Sequence, residues 1–145
     1  MAGRFETVEL ALAQAHRALT SILNGDPTGY LELFAAREEI SLGNPFGPFG
    51  CGRDAVARNL TNASTKYRDG EVLGVERLAA YGSGDIACFV EVEHIRARLG
   101  ESPAFSEARA RVTTVYERRN GSWNLVHRHA DPITTPRSAE SLLTN

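Results

Sequence analysis

Hydrophobic spacing in the first half of the chain predicts three helices. Over residues 5–23, apolar side chains recur at intervals of three and four, with charged and polar side chains between them. The sequence Asn24-Gly25-Asp26-Pro27 ends that helix and begins a short second one, expected from residue 27 to residue 34 or 36. Alternation over residues 39–42 predicts a short strand. A third helix is expected over residues 53–64, after a loop rich in glycine and proline.

In the second half of the chain the pattern changes to that of strands. Residues 71–80, 86–98, 105–119 and 123–130 are rich in β-branched and aromatic side chains and are bounded by turn-forming residues. Asn120-Gly121 is typical of a tight hairpin turn, because both residues tolerate a positive φ. Helices followed by an antiparallel meander predict an α+β fold in one domain, residues 1–133, with a polar C-terminal tail, residues 134–145.

The predicted hairpin assigns side chains to the two faces of the sheet. Counting outward from its turn pairs Leu125 with Tyr116 and His127 with Thr114, and it places His129 on the same face. This face carries the aromatic residues and the histidines, and we expect it to line the concave interior. Histidines inside a pocket would be candidates for ligand contact or proton transfer. Hydrogen-bonded histidines in a core are the simpler interpretation, and a metal site is the weakest of the three.

The strand over residues 86–98 contains two acidic residues and a histidine. Strand alternation places His94 with Cys88, Val90 and Val92, and we expect that side to face the interior. Glu91 and Glu93 then face solvent or pair with arginines such as Arg128. Buried together, the two carboxylates could instead carry out acid–base chemistry.

Composition and charge narrow the possible partners. The chain has 145 residues, of which 42% are hydrophobic and 23% charged, as in an average globular domain. Its net charge of -2 argues against sequence-independent binding of nucleic acid. No continuous apolar run is long enough for a membrane span. The two cysteines, Cys51 and Cys88, are far apart in sequence, which favours a reducing cytoplasm. We expect no metal and no cofactor.

Three groups of short motifs stand out along the chain: Asn24-Gly25-Asp26, then Asn44-Pro45 leading to Gly52-Arg53-Asp54, and Asn120-Gly121-Ser122-Trp123 leading to His127-Arg128-His129. Together they resemble the nuclear transport factor 2-like superfamily, especially its SnoaL-like, ketosteroid-isomerase-like and kinase association-domain branches. This resemblance implies a cone-shaped fold in which a curved antiparallel sheet surrounds helices and leaves a pocket at its open end. It also implies a homodimer formed through the outer face of the sheet.

The same resemblance bears on chemistry. Asn44 stands where ketosteroid-isomerase-like members have a general-base aspartate, and an amide cannot act as a base. The first helix also has no tyrosine to serve as an oxyanion donor. Isomerase chemistry by that mechanism is therefore not expected, although Asn44 could bond a ligand or cap its turn. Tyr30 and Tyr67 are further potential hydroxyl donors to a pocket, but the sequence does not reveal which way their side chains point. Phe46 and Phe49 suggest that their loop covers an apolar surface.

Two functions follow from these expectations. The first is binding of a small apolar or aromatic molecule. This function includes the case in which the bound molecule is the substrate of a SnoaL-like isomerase, cyclase or hydrolase. The alternative is a non-catalytic oligomerisation or regulatory domain with a vestigial pocket. The candidate pocket residues are Asn44, His94, Thr114, Tyr116, His127 and His129.

Overall fold

The computed structural model describes residues 3–144, in which three α-helices and six strands form an α+β fold, followed by a short 3₁₀ helix at Ala139–Leu142. The elements are α1 (Val8–Ile22), α2 (Thr28–Leu33), β1 (Ser41–Gly43), β2 (Gly50–Cys51), α3 (Arg53–Ser64), β3 (Tyr67–Ser83), β4 (Ile86–Leu99), β5 (Phe105–Arg119) and β6 (Ser122–Asp131). One curved sheet contains all six strands in the order β2-β1-β6-β5-β4-β3. The first two residues of the expected domain and the last residue of the expected tail, residues 1, 2 and 145, lie outside the described residues.

The three predicted helices are present, but they do not all precede the sheet. Helix α2 has only six residues, and α3 follows the short strands β1 and β2. The Thr7 side chain caps α1 by accepting a hydrogen bond from the Leu10 amide. The apolar stripe of α1 then packs into the core through Ala11, Ala15, Ala18, Leu19 and Ile22.

Two features of the sheet were not predicted. Strand β3 begins at Tyr67, four residues before the expected start, and contains three register shifts against β4. Strand β1 pairs in parallel with β6, with Ser41 opposite His127, and in antiparallel with β2. The loop between β1 and β2 is therefore held at the edge of the sheet next to the end of β6.

A β-bulge in the β5–β6 hairpin overturns the expected positions of the two histidines. The pairing is as predicted as far as Tyr116 opposite Leu125, but Val115 then lies opposite His127, so that Val126 is an extra residue on β6. One inserted residue moves every later side chain of a strand to the other face. Arg128 consequently faces the interior, and the expectation that His127 and His129 do so is wrong.

The two faces of β4 are the reverse of those expected. Glu91 and Glu93 are buried, with exposures of 5% and 7%, and they lie opposite Val112 and Ala110 of β5. His94 is on the outer face, opposite Arg109. The expectation of solvent-facing glutamates fails because each buried carboxylate bonds to an arginine. Glu93 pairs with the buried Arg128, and Glu91 pairs with Arg77, whose side chain is 44% exposed. The pairing of Glu93 with Arg128, one of the alternatives named above, is confirmed.

Among residues 3–144, no helix combines the length and the apolar character needed to cross a bilayer.

Candidate functional site

An apolar cavity of about 280 Å³ lies between the helices and the concave face of the sheet. Its walls are mainly leucine, isoleucine and alanine side chains, among them Leu19, Leu60, Ile95 and Ala110. Arg128, Glu93 and the tyrosines at positions 30 and 67 also line it and form a polar end. A mostly apolar pocket with a few convergent polar groups has the character of a small-molecule site.

Arg128 organises the polar end of the cavity. Its Nη1 and Nη2 atoms donate to the Glu93 carboxylate at 2.9 and 2.7 Å, and Nη1 also donates to the Tyr30 hydroxyl at 2.9 Å. The side chains of Arg128 and Glu93 are only 11% and 8% exposed. Burial by itself lowers the pKa of Arg128, but the Glu93 carboxylate beside it raises the pKa above its ordinary value. The guanidinium therefore remains charged.

The two tyrosines provide neutral donors. Burial raises the pKa of Tyr30 to about 12, and burial also raises the pKa of Tyr67 above its ordinary value. Both phenols thus keep their protons at neutral pH. The Tyr30 oxygen accepts from Arg128, yet no acceptor for the Tyr30 proton or for the Tyr67 hydroxyl is found within residues 3–144. Two hydroxyl groups of the cavity are therefore free to bond a ligand.

The mouth of the cavity is formed by the loop between β1 and β2. Asn44, Pro45 and Phe46 line it, and the Phe46 ring lies 5.8 Å from the Tyr67 ring. The side-chain oxygen Oδ1 of Asn44 accepts from the Phe46 amide, and the Nδ2 of Asn44 donates to the Asn59 main-chain carbonyl at 3.4 Å. Asn44 thus caps the turn and also borders the cavity. Of the six candidate residues, it is the one that lines this cavity.

His127 and His129 lie on the outer face of the sheet, where Phe49 covers them. The Phe49 ring centre is 6.3 Å from that of His127 and 5.5 Å from that of His129. His127 Nδ1 shares a 2.8 Å hydrogen bond with Ser41 Oγ. Burial, and then the neighbouring His129, lower the pKa of His127. Phe46 and Phe49 therefore contact opposite sides of the sheet edge, one at the cavity and one on the outer face.

The remaining candidates are placed away from the cavity surface. Thr114 and Tyr116 are buried on the inward face, as predicted, with exposures of 4% and 1%. Tyr116 packs edge-on against Phe89 and does not line the cavity. His94 lies on the outer face, with its Nε2 3.5 Å from Glu107.

All four residues at the polar end were considered from the sequence, but none of them was assigned to the cavity. Tyr30 and Tyr67 were recognised as donors, but nothing in their spacing shows which way they face. The expected hairpin pairing puts Arg128 on the face opposite His127 and His129, and Arg128 faces inward only because of the bulge at Val126. A signal was nevertheless present: Glu93 lies in a strand of apolar residues, and a buried acid requires a cationic partner.

The geometry favours binding over proton transfer. Both oxygens of Glu93 already accept from Arg128, so this carboxylate has limited freedom to act as a base. Within the described part of the chain, no three histidine, cysteine or acidic side chains are grouped as metal ligands.

Comparisons with solved structures show the same fold. A protein from Thiobacillus denitrificans, assigned as a calcium/calmodulin-dependent protein kinase type II association domain, is 20% identical, with a TM-score of 0.75 and coverage of 90% of this chain and 98% of that one. A nuclear transport factor 2-like protein from Salmonella enterica is 19% identical, with a TM-score of 0.69 and coverage of 92% and 99%. A ketosteroid isomerase-like protein from Erwinia carotovora is 17% identical, with a TM-score of 0.69 and coverage of 86% and 95%.

These similarities confirm the resemblance noted in the sequence, and at such identities they concern the fold alone. Among curated proteins, no sequence matches the chain. The SnoaL-like domain family matches residues 8–134, which include every helix and strand described above. The chain therefore belongs to the SnoaL-like domain family.

Proposed function

We propose that this domain binds a small, largely apolar molecule in the cavity inside the cone. The observation that carries the proposal is the Tyr30 hydroxyl, which lines the cavity, is buried, and has no protein acceptor for its proton within the described residues. The Tyr30 hydroxyl accepts from Arg128 and still has its own proton to donate, so a ligand oxygen beside it would gain a hydrogen bond inside the cavity.

The apolar walls supply the second support. Leucine, isoleucine and alanine side chains surround the polar end, so a ligand would bury most of its surface against hydrocarbon. Burial of apolar surface contributes about 25 cal/mol per Å². A molecule of one or two rings fits this volume and this distribution of polar groups.

A cavity-filling substitution tests the proposal. Ala110 lines the cavity, and Ala110→Phe should occupy much of it. Ala80→Phe is the matched control, because Ala80 is an exposed alanine of the same sheet that does not line the cavity. The neutral fluorophore N-phenyl-1-naphthylamine should show saturable binding to the wild type and to Ala80→Phe, and little binding to Ala110→Phe. Equal binding by all three proteins would mean that the probe binds elsewhere.

The proposal concerns binding and requires no reaction. Isomerase, cyclase or hydrolase activity would need a base or nucleophile beside the ligand, and Glu93 is held on both oxygens by Arg128. Binding is accordingly the function that these contacts support best.

We further propose that the outer face of the sheet pairs with a second copy of the chain. Strand alternation places Val90, Val92 and Val115 there, and each is only partly buried in the single chain. Covering such a surface is favourable, and an isologous dimer covers it on both subunits. Light scattering should report a dimer that Val92→Asp dissociates, whereas Leu142→Asp, at an exposed leucine outside the sheet, should leave it intact. A monomeric wild type would refute the pairing.

A further inference from the structure

We infer, on the basis of the proposed binding function, that the ligand is an uncharged molecule with a hydrogen-bond-accepting oxygen, such as a ketone, aldehyde or lactone. Glu93 is the specificity-determining residue in this inference. Its carboxylate neutralises Arg128 and leaves the cavity with donors but without net charge.

The charge balance comes from the residues that line the cavity. Arg128 and Glu93 are nearly buried and form a two-bonded ion pair, so their charges cancel at short range. The third charged residue at this cavity is Arg109. Strand alternation directs its side chain to the outer face, opposite His94, where it is exposed to water. Solvent screens a charge in that position. An anionic ligand would therefore lose its hydration without gaining a buried countercharge.

The balance of donors and acceptors indicates an oxygen acceptor on the ligand. Tyr30 and Tyr67 each have a hydroxyl proton without a protein acceptor in residues 3–144. Arg128 has five N–H donors, and the hydrogen bonds to Glu93 and Tyr30 account for three of them. The oxygens of Glu93 are already occupied. A carbonyl oxygen complements this arrangement, whereas a donor group on the ligand has fewer partners.

Three probes of one shape separate charge from hydrogen bonding. These are 2-acetylnaphthalene, which is neutral with an acceptor oxygen, 2-naphthoate, which is an anion, and 2-ethylnaphthalene, which has neither feature. Calorimetric titration of the wild-type protein should show that the ketone binds about ten- to a hundredfold more tightly than either of the others, as expected for one hydrogen bond to a buried donor.

Substitution of Glu93 should reverse this selectivity. Glu93→Gln removes the countercharge and leaves Arg128 available to an anion, so 2-naphthoate should become the tightest of the three ligands. Glu91→Gln is the matched control, because Glu91 is a buried glutamate of the same strand that pairs with Arg77 and does not line the cavity. This control should keep the wild-type order of affinities.

The outcomes distinguish the two proposals. Binding of the ketone and 2-ethylnaphthalene with equal affinity, or tighter binding of 2-naphthoate to the wild type, would overturn the inferred ligand class while leaving apolar binding in place. Failure of all three probes and of the fluorophore above to bind would overturn both proposals. If Glu93→Gln is too unstable for calorimetry, its melting temperature is measured with and without 2-naphthoate. A higher melting temperature with the anion supports the inference, and an unchanged melting temperature contradicts it. The wild-type order of affinities tests the ligand class independently of that variant.

Discussion

Replacing Arg128 by methionine tests whether the buried ion pair contributes to the stability of this domain as its contacts indicate. Methionine retains much of the length of the side chain but lacks the three hydrogen bonds to Glu93 and Tyr30. Glu93, whose side chain is 8% exposed, would then be a buried carboxylate without a countercharge. The other nearby arginine, Arg77, is bonded to Glu91.

The expected loss in the free energy of unfolding is about 3–5 kcal/mol, the usual cost of removing one partner of a buried ion pair. A domain of this size is stable by about 5–15 kcal/mol, so the variant should remain folded or be marginally stable. Restoring the balance of charge should recover most of the loss. The double variant Arg128→Met with Glu93→Leu leaves no unpaired charge and should be close to the wild type in stability.

Urea unfolding at neutral pH measures these differences, and the chain offers a matched control. Arg111 also makes two hydrogen bonds to one carboxylate, that of Asp131, but its side chain is 55% exposed. Arg111→Met should therefore cost only about 0–1 kcal/mol. If Arg128→Met and Arg111→Met lose similar amounts, or if the double variant is no better than Arg128→Met, then Arg128 is not paired inside the cone.

Three further substitutions have definite expected outcomes. In Gly43→Ala, the new Cβ would clash with the Phe49 ring, so the ring should move away from His127 and His129 and the NMR shifts of these histidines should change. Unchanged shifts would contradict the stacking. Burial, and then His129, hold the pKa of His127 below its unfolded value of about 6.5, so stability should fall as pH drops through that value because the unfolded chain binds the proton more readily. Between pH 7 and pH 5.5, the free energy of unfolding measured with urea should fall less for His127→Asn than for the wild type. Equal falls in the two proteins would show that His127 is not responsible for this pH dependence. Asn124→Leu removes the side-chain donor to the carbonyls of Gly3 and Leu33. Urea unfolding should show a loss of about 1–3 kcal/mol in the free energy of unfolding. No loss would show that water replaces the Asn124 donor.

Much of the architecture was predictable because it depends on short-range patterns. The apolar stripe of α1, the break at Asn24-Gly25-Asp26-Pro27 before α2 and the Asn120-Gly121 turn each act within a few residues, and all three are present. The motif at Asn44-Pro45 was likewise expected in the loop after the short strand, and Asn44 borders the cavity. The family resemblance rests on the same local signals.

The sequence by itself determined the α+β fold and the family, since periodicity and turn residues set the elements and the short motifs carry the resemblance. Only the tertiary structure decided which residues form the polar end of the cavity. The bulge at Val126 depends on how β6 fits between β1 and β5, and it turns Arg128 inward and the histidines outward. The burial of Glu93 in turn depends on that arginine. Charges 35 residues apart become partners only when three strands and a bulge bring them together, and no local pattern encodes that contact.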